Sequence, residues 1–353
     1  MARIVAVTAQ PFETPLHHLF VTSRGSTKVA RAVVITVKLD GHIVGHGESV
    51  PVAYVTGESQ ESVIAMVERI TPHLLNANLS SLGPVMHLVS NLAPDAPSAR
   101  CGIEMALLTA WSRLHNMSLW SYWGGSVHRC ESDLTIPIVD EAPALALEAF
   151  AKGIKTLKVK VGGGEHGADM ARVISIHKAV PDATLRIDAN QAFTAREAVS
   201  FVNHLLEAGI NIELFEQPTR HDDIAGLIEV AEACNVPVYA DESCKTPQDA
   251  IRLANTPVKG YNLKINKFGI LGVIDMIAIA RAAHKDLMLG CMLESRRSIA
   301  VGMALACGTG AFKYLDLDSH LLLKEEGENG YFTQQGGCME LTHQWMTESS
   351  HQA

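Results

Sequence analysis

The sequence has no apolar run near the ~20 residues that a membrane-spanning helix requires, and it has no block of like charges. These absences argue against a membrane protein and against a protein that binds nucleic acid through a basic surface. Charged residues make up only 19% of the chain, hydrophobic residues make up 47%, and the net charge is −9. This composition is typical of a globular protein with a large core, whose partners are small molecules.

Cysteine patterns of the secreted or zinc-binding kind are also missing. The seven cysteines are odd in number and form no C-x-x-C pair, which indicates neither a disulfide framework nor a zinc site. Residues 1–10 contain no long apolar stretch of the kind found in signal peptides. We therefore expect free thiols, a reducing environment and a cytoplasmic location.

The first third of the 353-residue chain has the pattern of strands followed by helices. A β-branched run precedes the hairpin-turn signal Asp40-Gly41. Ser59 is a candidate N-cap for a helix, and a second helical stretch covers residues 99–115. We predict an α+β domain over residues 1–125, built from a three-stranded meander and helices.

After about residue 132, short β-branched strands alternate with longer amphipathic helices, and the strand starts are about 20–30 residues apart, the length of one βα unit. The eight predicted strands are 134–139, 156–161, 184–188, 212–216, 238–241, 260–265, 287–292 and 313–317. The fold class is therefore α/β. We predict a closed (β/α)7β TIM-like barrel over residues 126–322, while periodicity also leaves a doubly wound sheet open. The polar residues 323–353 are expected to return to the N-terminal domain.

Three consecutive predicted barrel strands each end in a carboxylate, namely Asp188, Glu216 and Asp241. Because the carboxyl ends of barrel strands meet at one mouth, these three side chains must converge. Three converging negative charges require a cation, and oxygen ligands without His or Cys nearby favour Mg²⁺ over zinc. We predict one Mg²⁺ ion per active site.

Lysines lie on either side of these carboxylates. Lys158 and Lys160 are on the second predicted strand, and Lys264 is on the sixth, which is opposite the second in a barrel of eight. Removing a proton α to a carboxylate creates an enediolate, which a divalent cation stabilises, and a base on each face can then invert the carbon. We predict that Lys160 and Lys264 are the acid/base pair, and that Lys158 disfavours the charged form of Lys160.

These residues resemble the enolase superfamily, and within it the muconate-lactonising-enzyme subgroup. The motifs follow the order of that family and cover essentially the whole chain: Leu157-Lys158-Val159-Lys160, Asp188-Ala189-Asn190, Glu216-Gln217-Pro218, Asp241-Glu242-Ser243 and Asn262-Leu263-Lys264. The resemblance implies a capping domain on an enolase-like barrel, with Asn190 and Glu242 beside the metal ligands. This scaffold often assembles, so a homo-oligomer is a further expectation.

Within that subgroup the sequence is most similar to the dipeptide epimerases, because its last strand carries Asp316-Leu317-Asp318. The resemblance implies that Asp316 and Asp318 hold the substrate ammonium. It also implies that Arg24, in a mobile capping loop, pairs with an acidic second residue, and that Lys158 contacts the substrate carboxylate. The implied substrate is a murein-derived L-Ala-D-Glu or L-Ala-L-Glu dipeptide.

Two other functions stay open on this scaffold. One is a lyase or cycloisomerase, such as an o-succinylbenzoate synthase or a muconate cycloisomerase, whose substrates carry no ammonium for the acidic pair. The other is a barrel that binds a metal or ligand without catalysis, which would need no base on each face. Departures from the family bear on specificity: Gly269-Ile270 replaces a Gly-Gly pair, and Arg296 and Arg297 follow the seventh strand.

Overall fold

The N-terminal domain consists of an antiparallel meander and helices. The computed structural model describes residues 2–164, 166–324 and 330–343. The meander strands pair in the order β1 (Ile4–Thr22), β2 (Gly25–Leu39) and β3 (Val44–Ser49). The helices are α1 (Ala53–Thr56), α2 (Gln60–Leu74), α3 (Leu82–Leu92), α4 (Pro97–His115) and α5 (Leu119–Tyr122). The predicted meander and both predicted helices are confirmed.

Local sequence sets the ends and the packing of these elements. Ser59 accepts a hydrogen bond from the amide of Ser62 and thereby caps α2, as predicted. Helix α4 lies directly on β3 because two glycines face it. A Cβ on Gly45 would lie 2.1 Å from a carbonyl oxygen of α4, and one on Gly47 would lie 2.0 Å from another, so no larger residue fits.

A sheet of eight parallel strands forms the barrel, and a short strand, β4 (Arg129–Glu131), precedes it. The barrel strands are β5 (Leu134–Ile136), β6 (Thr156–Lys160), β7 (Thr184–Asp188), β8 (Ile212–Glu216), β9 (Val238–Ala240), β10 (Gly260–Lys264), β11 (Asp286–Gly290) and β12 (Tyr314–Asp316). The helices around them are α6 (Ala142–Ala151), α7 (His166–Ala179), α8 (Ala195–Glu207), α9 (Ile224–Ala233), α10 (Pro247–Leu253), α11 (Ile265–Phe268), α12 (Ile270–Ala282), α13 (Arg296–Thr309) and α14 (Ser319–Leu322).

The barrel closes between its first and last strands. Ser132 pairs with Leu315 in a parallel bridge, and the amide of Asp133 donates to the carbonyl of Leu315 at 3.3 Å. The closed barrel is thus confirmed over the doubly wound sheet. Because β6 and β10 are the second and sixth strands, they face each other across the barrel. The strand predicted over 134–139 ends before Pro137, which has no amide hydrogen to donate to a neighbouring strand.

Buried carboxylates join the N-terminal domain to the barrel. Glu48 of β3 accepts a hydrogen bond at 2.9 Å from the amide of Ser295, immediately before α13. Glu104 of α4 accepts a hydrogen bond at 2.5 Å from the amide of Ile270, at the start of α12. A carboxylate at a helix N-terminus satisfies unpaired amides and faces the positive end of the helix dipole. These contacts hold the N-terminal domain at the carboxyl ends of the barrel strands.

The C-terminal residues contact both parts of the molecule. The amide of Lys324 donates to a β1 carbonyl at 2.8 Å. Further along, β13 (Phe332–Gln335) and β14 (Cys338–Leu341) form a hairpin that pairs with β4. Residues 325–329 and 344–353 of the predicted C-terminal segment lie outside the described residues, and the domain boundaries stay a prediction. Within the part of the chain that the structure describes, no helix is long and apolar enough to cross a membrane.

His320 connects α14 to this hairpin and makes the stability of the fold depend on pH. Its Nε2 lies 2.5 Å from Oε1 of Gln334, and its ring meets that of Phe332 edge-on. Burial lowers the pKa of the imidazole to about 4, against the opposing effect of Gln334. The unfolded-state pKa is about 6.5, so the neutral ring stabilises the fold fully above that pH, and this stabilisation is lost as the pH falls toward 4.

We expect the wild-type protein to lose up to about 3 kcal/mol of unfolding free energy through this group as the pH falls from 6.5 to 4. His320→Gln, which stays neutral, should show a correspondingly flatter pH dependence in urea unfolding. His87 is exposed, and His87→Gln is the control that should keep the wild-type slope. Equal slopes in the wild type and in His320→Gln would contradict the assignment.

Candidate active site

A cavity of about 350 Å³ opens at the carboxyl ends of the barrel strands, beneath the β1–β2 hairpin and α1 of the N-terminal domain. Two predicted site residues, Asp188 and Glu216, are fully buried and contact Lys158. The other nine predicted site residues lie in the cavity wall: Arg24, Lys158, Lys160, Asn190, Asp241, Glu242, Lys264, Asp316 and Asp318. The structure therefore brings all the predicted residues to one place.

The ammonium group of Lys158 contacts carboxylates from three other strands. Its Nζ lies 2.7 Å from Oδ2 of Asp316, 2.8 Å from Oε2 of Glu216 and 3.2 Å from Oδ2 of Asp188. Burial acts to lower the pKa of Lys158, but these carboxylates outweigh it and raise the pKa well above its usual value. These carboxylates therefore favour the charged form of Lys158.

Lys160 and Lys264 lie on opposite strands, and each is paired with a different carboxylate. Lys160 donates to Oδ2 of Asp188 at 2.6 Å, and Lys264 donates to Oδ2 of Asp241 at 2.8 Å. Burial acts to raise the pKa of both carboxyl groups, but the lysines prevail and lower it, to about 2 for Asp188. For Lys264, burial acts to lower the pKa, and Asp241 prevails and raises it.

The predicted metal ligands are a buried set of hard oxygen donors. Asn262 donates to Oε1 of Glu216 at 2.7 Å, and the amide of Asn190 donates to Oδ1 of Asp188 at 2.8 Å. No described residue hydrogen-bonds to Oε2 of Glu216, although Lys158 forms an ion pair with it. A buried donor set made only of carboxylate oxygens fits a Mg²⁺ ion.

A second group of carboxylates lies at the last barrel strand. The ligand atoms of Asp133, Asp316 and Asp318 all lie within 4.8 Å of one another, and the predicted metal ligands form no group this tight among the described residues. Asp318 accepts a hydrogen bond from the amide of Thr135 at 2.6 Å. Burial and then Asp316 raise the pKa of Asp318 to about 6. The repulsion between these acids makes the location favourable for a positively charged group.

Three further predicted residues of the cavity wall lie beside the lysines and the acidic residues, namely Arg24, Asn190 and Glu242. Arg24 is exposed, with its guanidinium carbon 5.7 Å from the centre of the Tyr54 ring. Asn190 donates a long hydrogen bond of 3.4 Å to Oε1 of Glu242. Burial and then Asp241 raise the pKa of Glu242 to about 7. Glu242 thus borders the same cavity as the lysines, and among the described residues it has no ion-pair partner as close as theirs.

Two buried charged residues of the site, Asp133 and Lys267, are not predicted by the sequence patterns. Arg186 donates to Oδ2 of Asp133 at 2.7 Å, and Lys267 donates to Oδ1 of Asp241 at 2.6 Å. One signal could have found both, because each is a charged residue in or beside an apolar segment. Lys267 follows Lys264 by three residues in a fully buried turn, and Asp133 directly precedes the first barrel strand.

Two family models match the chain. The model described as "Mandelate racemase / muconate lactonizing enzyme, N-terminal domain" matches residues 4–124, and that described as "Enolase C-terminal domain-like" matches residues 141–344. The chain belongs to the mandelate racemase/muconate lactonizing enzyme family. Membership of this family, within the enolase superfamily, confirms the family predicted from the motifs.

Members of the mandelate racemase/muconate lactonizing enzyme family that resemble this chain over nearly its whole length include dipeptide epimerases. The aromatic dipeptide epimerase of Herpetosiphon aurantiacus is 36% identical over 341 residues, which are 96% of each chain. The L-Ala-D/L-Glu epimerase of Bacillus subtilis is 32% identical over 345 residues, 96% of this chain and 94% of the relative.

Solved structures of such family members are similar throughout. The substrate-liganded complex of the L-Ala-D/L-Glu epimerase from Bacillus subtilis has a TM-score of 0.93 at 32% identity, and the match covers 96% of each chain. A dipeptide epimerase from Enterococcus faecalis, complexed with Mg and the dipeptide L-Leu-L-Tyr, has a TM-score of 0.91 at 29% identity, covering 96% of this chain and 97% of that one.

In this family member, Arg186 is the buried counter-ion of Asp133 beneath the acidic group. We expect Arg186→Met to lower the free energy of unfolding by about 3 kcal/mol or more, because it leaves a buried carboxylate without its partner. Urea unfolding followed by circular dichroism measures the change. Arg186→Met combined with Asp133→Leu should recover part of the loss, since it removes the fully buried carboxylate and leaves only the partly exposed Glu213 without its partner.

The exposed pair Arg31–Glu13, at 2.9 Å, provides the matched control. Arg31→Met should cost less than about 1 kcal/mol, because solvent screens an exposed ion pair. An Arg186→Met protein as stable as Arg31→Met would show that the buried pair contributes nothing.

Proposed function

We propose that this protein is a Mg²⁺-dependent dipeptide epimerase. It inverts the α-carbon of the C-terminal residue of a dipeptide by transferring protons on opposite faces. The observation that carries the proposal is the placement of Lys160 and Lys264 on opposite strands of one cavity, together with the acidic residues Asp316 and Asp318. The dipeptide epimerases among its relatives support it.

Asp188, Glu216 and Asp241 are the residues that would hold the Mg²⁺ ion. When bound, the ion supplies positive charge against the negative charge that proton removal places on the substrate carboxylate. The supporting observations are the burial of all three carboxylates and the hydrogen bonds from Asn262 and Asn190 that fix one oxygen each of Glu216 and Asp188.

Lys160 and Lys264 carry out the two proton transfers. One lysine, as a neutral amine, takes the α-proton, so that the C–H bond breaks and an N–H bond forms. The other lysine, as an ammonium, gives a proton to the opposite face of the same carbon, and inversion results. In the protein alone Asp241 raises the pKa of Lys264, so neutral Lys264 requires cationic charge that competes for Asp241.

Lys158 has a different task, because it contacts three carboxylates and keeps its proton. Within the described residues only its contact with Asp316 is a hydrogen bond, and Lys158 lies in the cavity wall, so its ammonium can also donate a charge-assisted hydrogen bond to the substrate carboxylate. The contact with the substrate carboxylate is also the one that the sequence analysis expects, and the expected influence of Lys158 on the charge of Lys160 stays a prediction. Lys160, two residues along the same strand, exchanges protons.

Asp316 and Asp318 bind the free ammonium of the dipeptide. Burial and Asp316 together raise the pKa of Asp318 to about 6, and an arriving ammonium relieves both penalties. Substrates of the lyases and cycloisomerases carry no such group, and the buried acids would repel their negative charges. The acidic pair therefore favours an epimerase over those alternatives.

The second residue of the dipeptide is proposed to be Glu. Arg24 is an exposed cation on the roof of the cavity, where it can meet a side-chain carboxylate. A specific observation also favours an aromatic second residue: the same roof contains the apolar residues Phe20, Val52 and Tyr54, and one relative is an aromatic dipeptide epimerase. A panel of dipeptides separates the two.

An L-Ala-Glu substrate has the chemistry of a fragment of murein, so we propose that the enzyme acts on murein-derived dipeptides in the cytoplasm. The free cysteines support a reducing compartment, since all seven are unpaired.

The proposed function predicts isotope exchange at one carbon. In D₂O with Mg²⁺ and L-Ala-L-Glu, proton NMR should show loss of the α-proton signal of the C-terminal residue while the diastereomer appears. EDTA should stop both changes. Lys160→Ala and Lys264→Ala should each lower the epimerisation rate by about 100-fold or more, since each removes an acid/base group.

Full epimerisation by either lysine variant would overturn the two-base assignment. Absence of exchange with acidic, aromatic, aliphatic and basic dipeptides alike would overturn the proposed function. Faster exchange with aromatic dipeptides than with L-Ala-L-Glu would move the substrate to the aromatic class.

Asp318→Asn should chiefly weaken dipeptide binding, because it replaces one of two charges that hold the ammonium. We expect KM to rise by about 10- to 100-fold, with a smaller change in kcat. N-acetyl-L-Ala-L-Glu, which has no ammonium, is the matched probe: the wild type should discriminate against it strongly, and Asp318→Asn should discriminate less. Equal discrimination by both proteins would remove Asp318 from ammonium binding.

A further inference from the structure

We propose that Lys267 is a positioning residue, which fixes the Asp241 carboxylate so that a single oxygen, Oδ2, faces the cavity. The proposal rests on the proposed function only in taking Asp241 as a metal ligand. Lys267 is one of the buried charged residues that the sequence patterns do not predict, and no substrate contact accounts for it.

Every donor of the Lys267 ammonium group is used inside the protein. Its Nζ donates to Oδ1 of Asp241 at 2.6 Å, to the carbonyl of Asp241 at 2.9 Å and to the carbonyl of Asn262 at 2.7 Å. An ammonium group has three hydrogens, so none remains for a substrate. The side chain is 1% exposed, and it lies outside the cavity wall.

The contrast with Lys264 shows how the carboxylate is divided. Lys264 lies in the cavity wall and contacts the other oxygen of Asp241, Oδ2, at 2.8 Å. Oδ1 of Asp241 thus accepts a hydrogen bond from Lys267, outside the cavity wall, whereas Oδ2 is directed toward the cavity. Turning the carboxylate would break a buried charge-assisted hydrogen bond, which is among the stronger contacts in a protein.

The backbone of Asp241 is fixed as well. Oε1 of Gln217 accepts a hydrogen bond from the amide of Asp241 at 2.9 Å and another from the amide of Ser243 at 3.0 Å. Lys267 holds the carbonyl of the same residue. Amide, carbonyl and one carboxylate oxygen of Asp241 therefore all have fixed partners, and Oδ2 is the atom left for the site.

The turn that carries Lys267 is itself anchored to the N-terminal domain. Oδ1 of Asn266 accepts hydrogen bonds from the amide of Val50 at 2.8 Å and from the hydroxyl of Ser98 at 3.2 Å. Helix α11 therefore has contacts on both sides, with the cation site through Lys267 and with the N-terminal domain through Asn266. Lys267, anchored in this way, can hold the carboxylate of Asp241, the proposed metal ligand, in one orientation.

The test measures cation affinity without any dipeptide, with Mn²⁺ as the probe and electron paramagnetic resonance as the readout. Lys267→Met removes all three hydrogen bonds, whereas Lys267→Gln keeps a neutral donor. We expect Lys267→Met to weaken Mn²⁺ binding by at least about 10-fold, and Lys267→Gln to fall between it and the wild type. If Lys267 acted only through its positive charge, Lys267→Met would bind Mn²⁺ more tightly than the wild type, because the loss of an ammonium group reduces the repulsion of a cation.

Lys285→Met is the matched control. Lys285 also donates to two carbonyls, those of Thr256 at 2.6 Å and Val258 at 2.7 Å, and it lies outside the cavity wall. Its loss should lower the thermal midpoint and leave Mn²⁺ affinity unchanged. Unchanged or tighter Mn²⁺ binding in Lys267→Met would overturn the proposal, whatever its thermal midpoint.

If Lys267→Met does not fold, the Mn²⁺ affinity of Lys267→Gln is the test. Unchanged or tighter Mn²⁺ binding by Lys267→Gln would then overturn the proposal. The outcome is separable from the proposed function. A wild-type protein that binds Mn²⁺ but epimerises no dipeptide would overturn the proposed function and leave the role of Lys267 standing.

Discussion

The ammonium group of Lys158 is the contact on which the site depends. It draws the carboxylates of Asp188, Glu216 and Asp316 toward one point, so the carboxyl ends of β7, β8 and β12 are held around β6. Removing an ion from water costs several kcal/mol, and close pairing is what offsets this cost inside a protein. A barrel that buries these three acids therefore needs a cation at this position before any substrate arrives.

The lysines of the site differ in how many partners hold their ammonium groups and in how exposed they are. Lys158 and Lys267 each have three partners and almost no exposure, so they act as fixed charges. Lys160 and Lys264 border the cavity, and among the described residues each forms an ion pair with a single carboxylate, that of Asp188 for Lys160 and that of Asp241 for Lys264. The chemistry proposed for the site follows from this difference, since a lysine that exchanges protons must be able to leave its partner.

Much of the barrel is predictable from the sequence because its strands are short β-branched runs that end in polar residues. The strands that carry Asp188 and Glu216 have the predicted bounds. Contacts between distant strands are not predictable in this way: Arg186 and Asp133 are 53 residues apart, and Lys267 and Asp241 are 26 apart. These contacts depend on how the closed barrel aligns its strands, and α11, with four residues, is too short to show a period.

Because the bridge between Ser132 and Leu315 closes the barrel, the barrel can close only after its last strand has been synthesised. A ribosome releases the N-terminal domain and seven barrel strands before Leu315 and the acidic residues beside it appear. Until then the sheet has two open edges, whose unpaired backbone groups can attract other chains. Because the last barrel strand both closes those edges and supplies Asp316 as a partner for Lys158, the nascent chain closes its barrel and gains this ion pair in the same step.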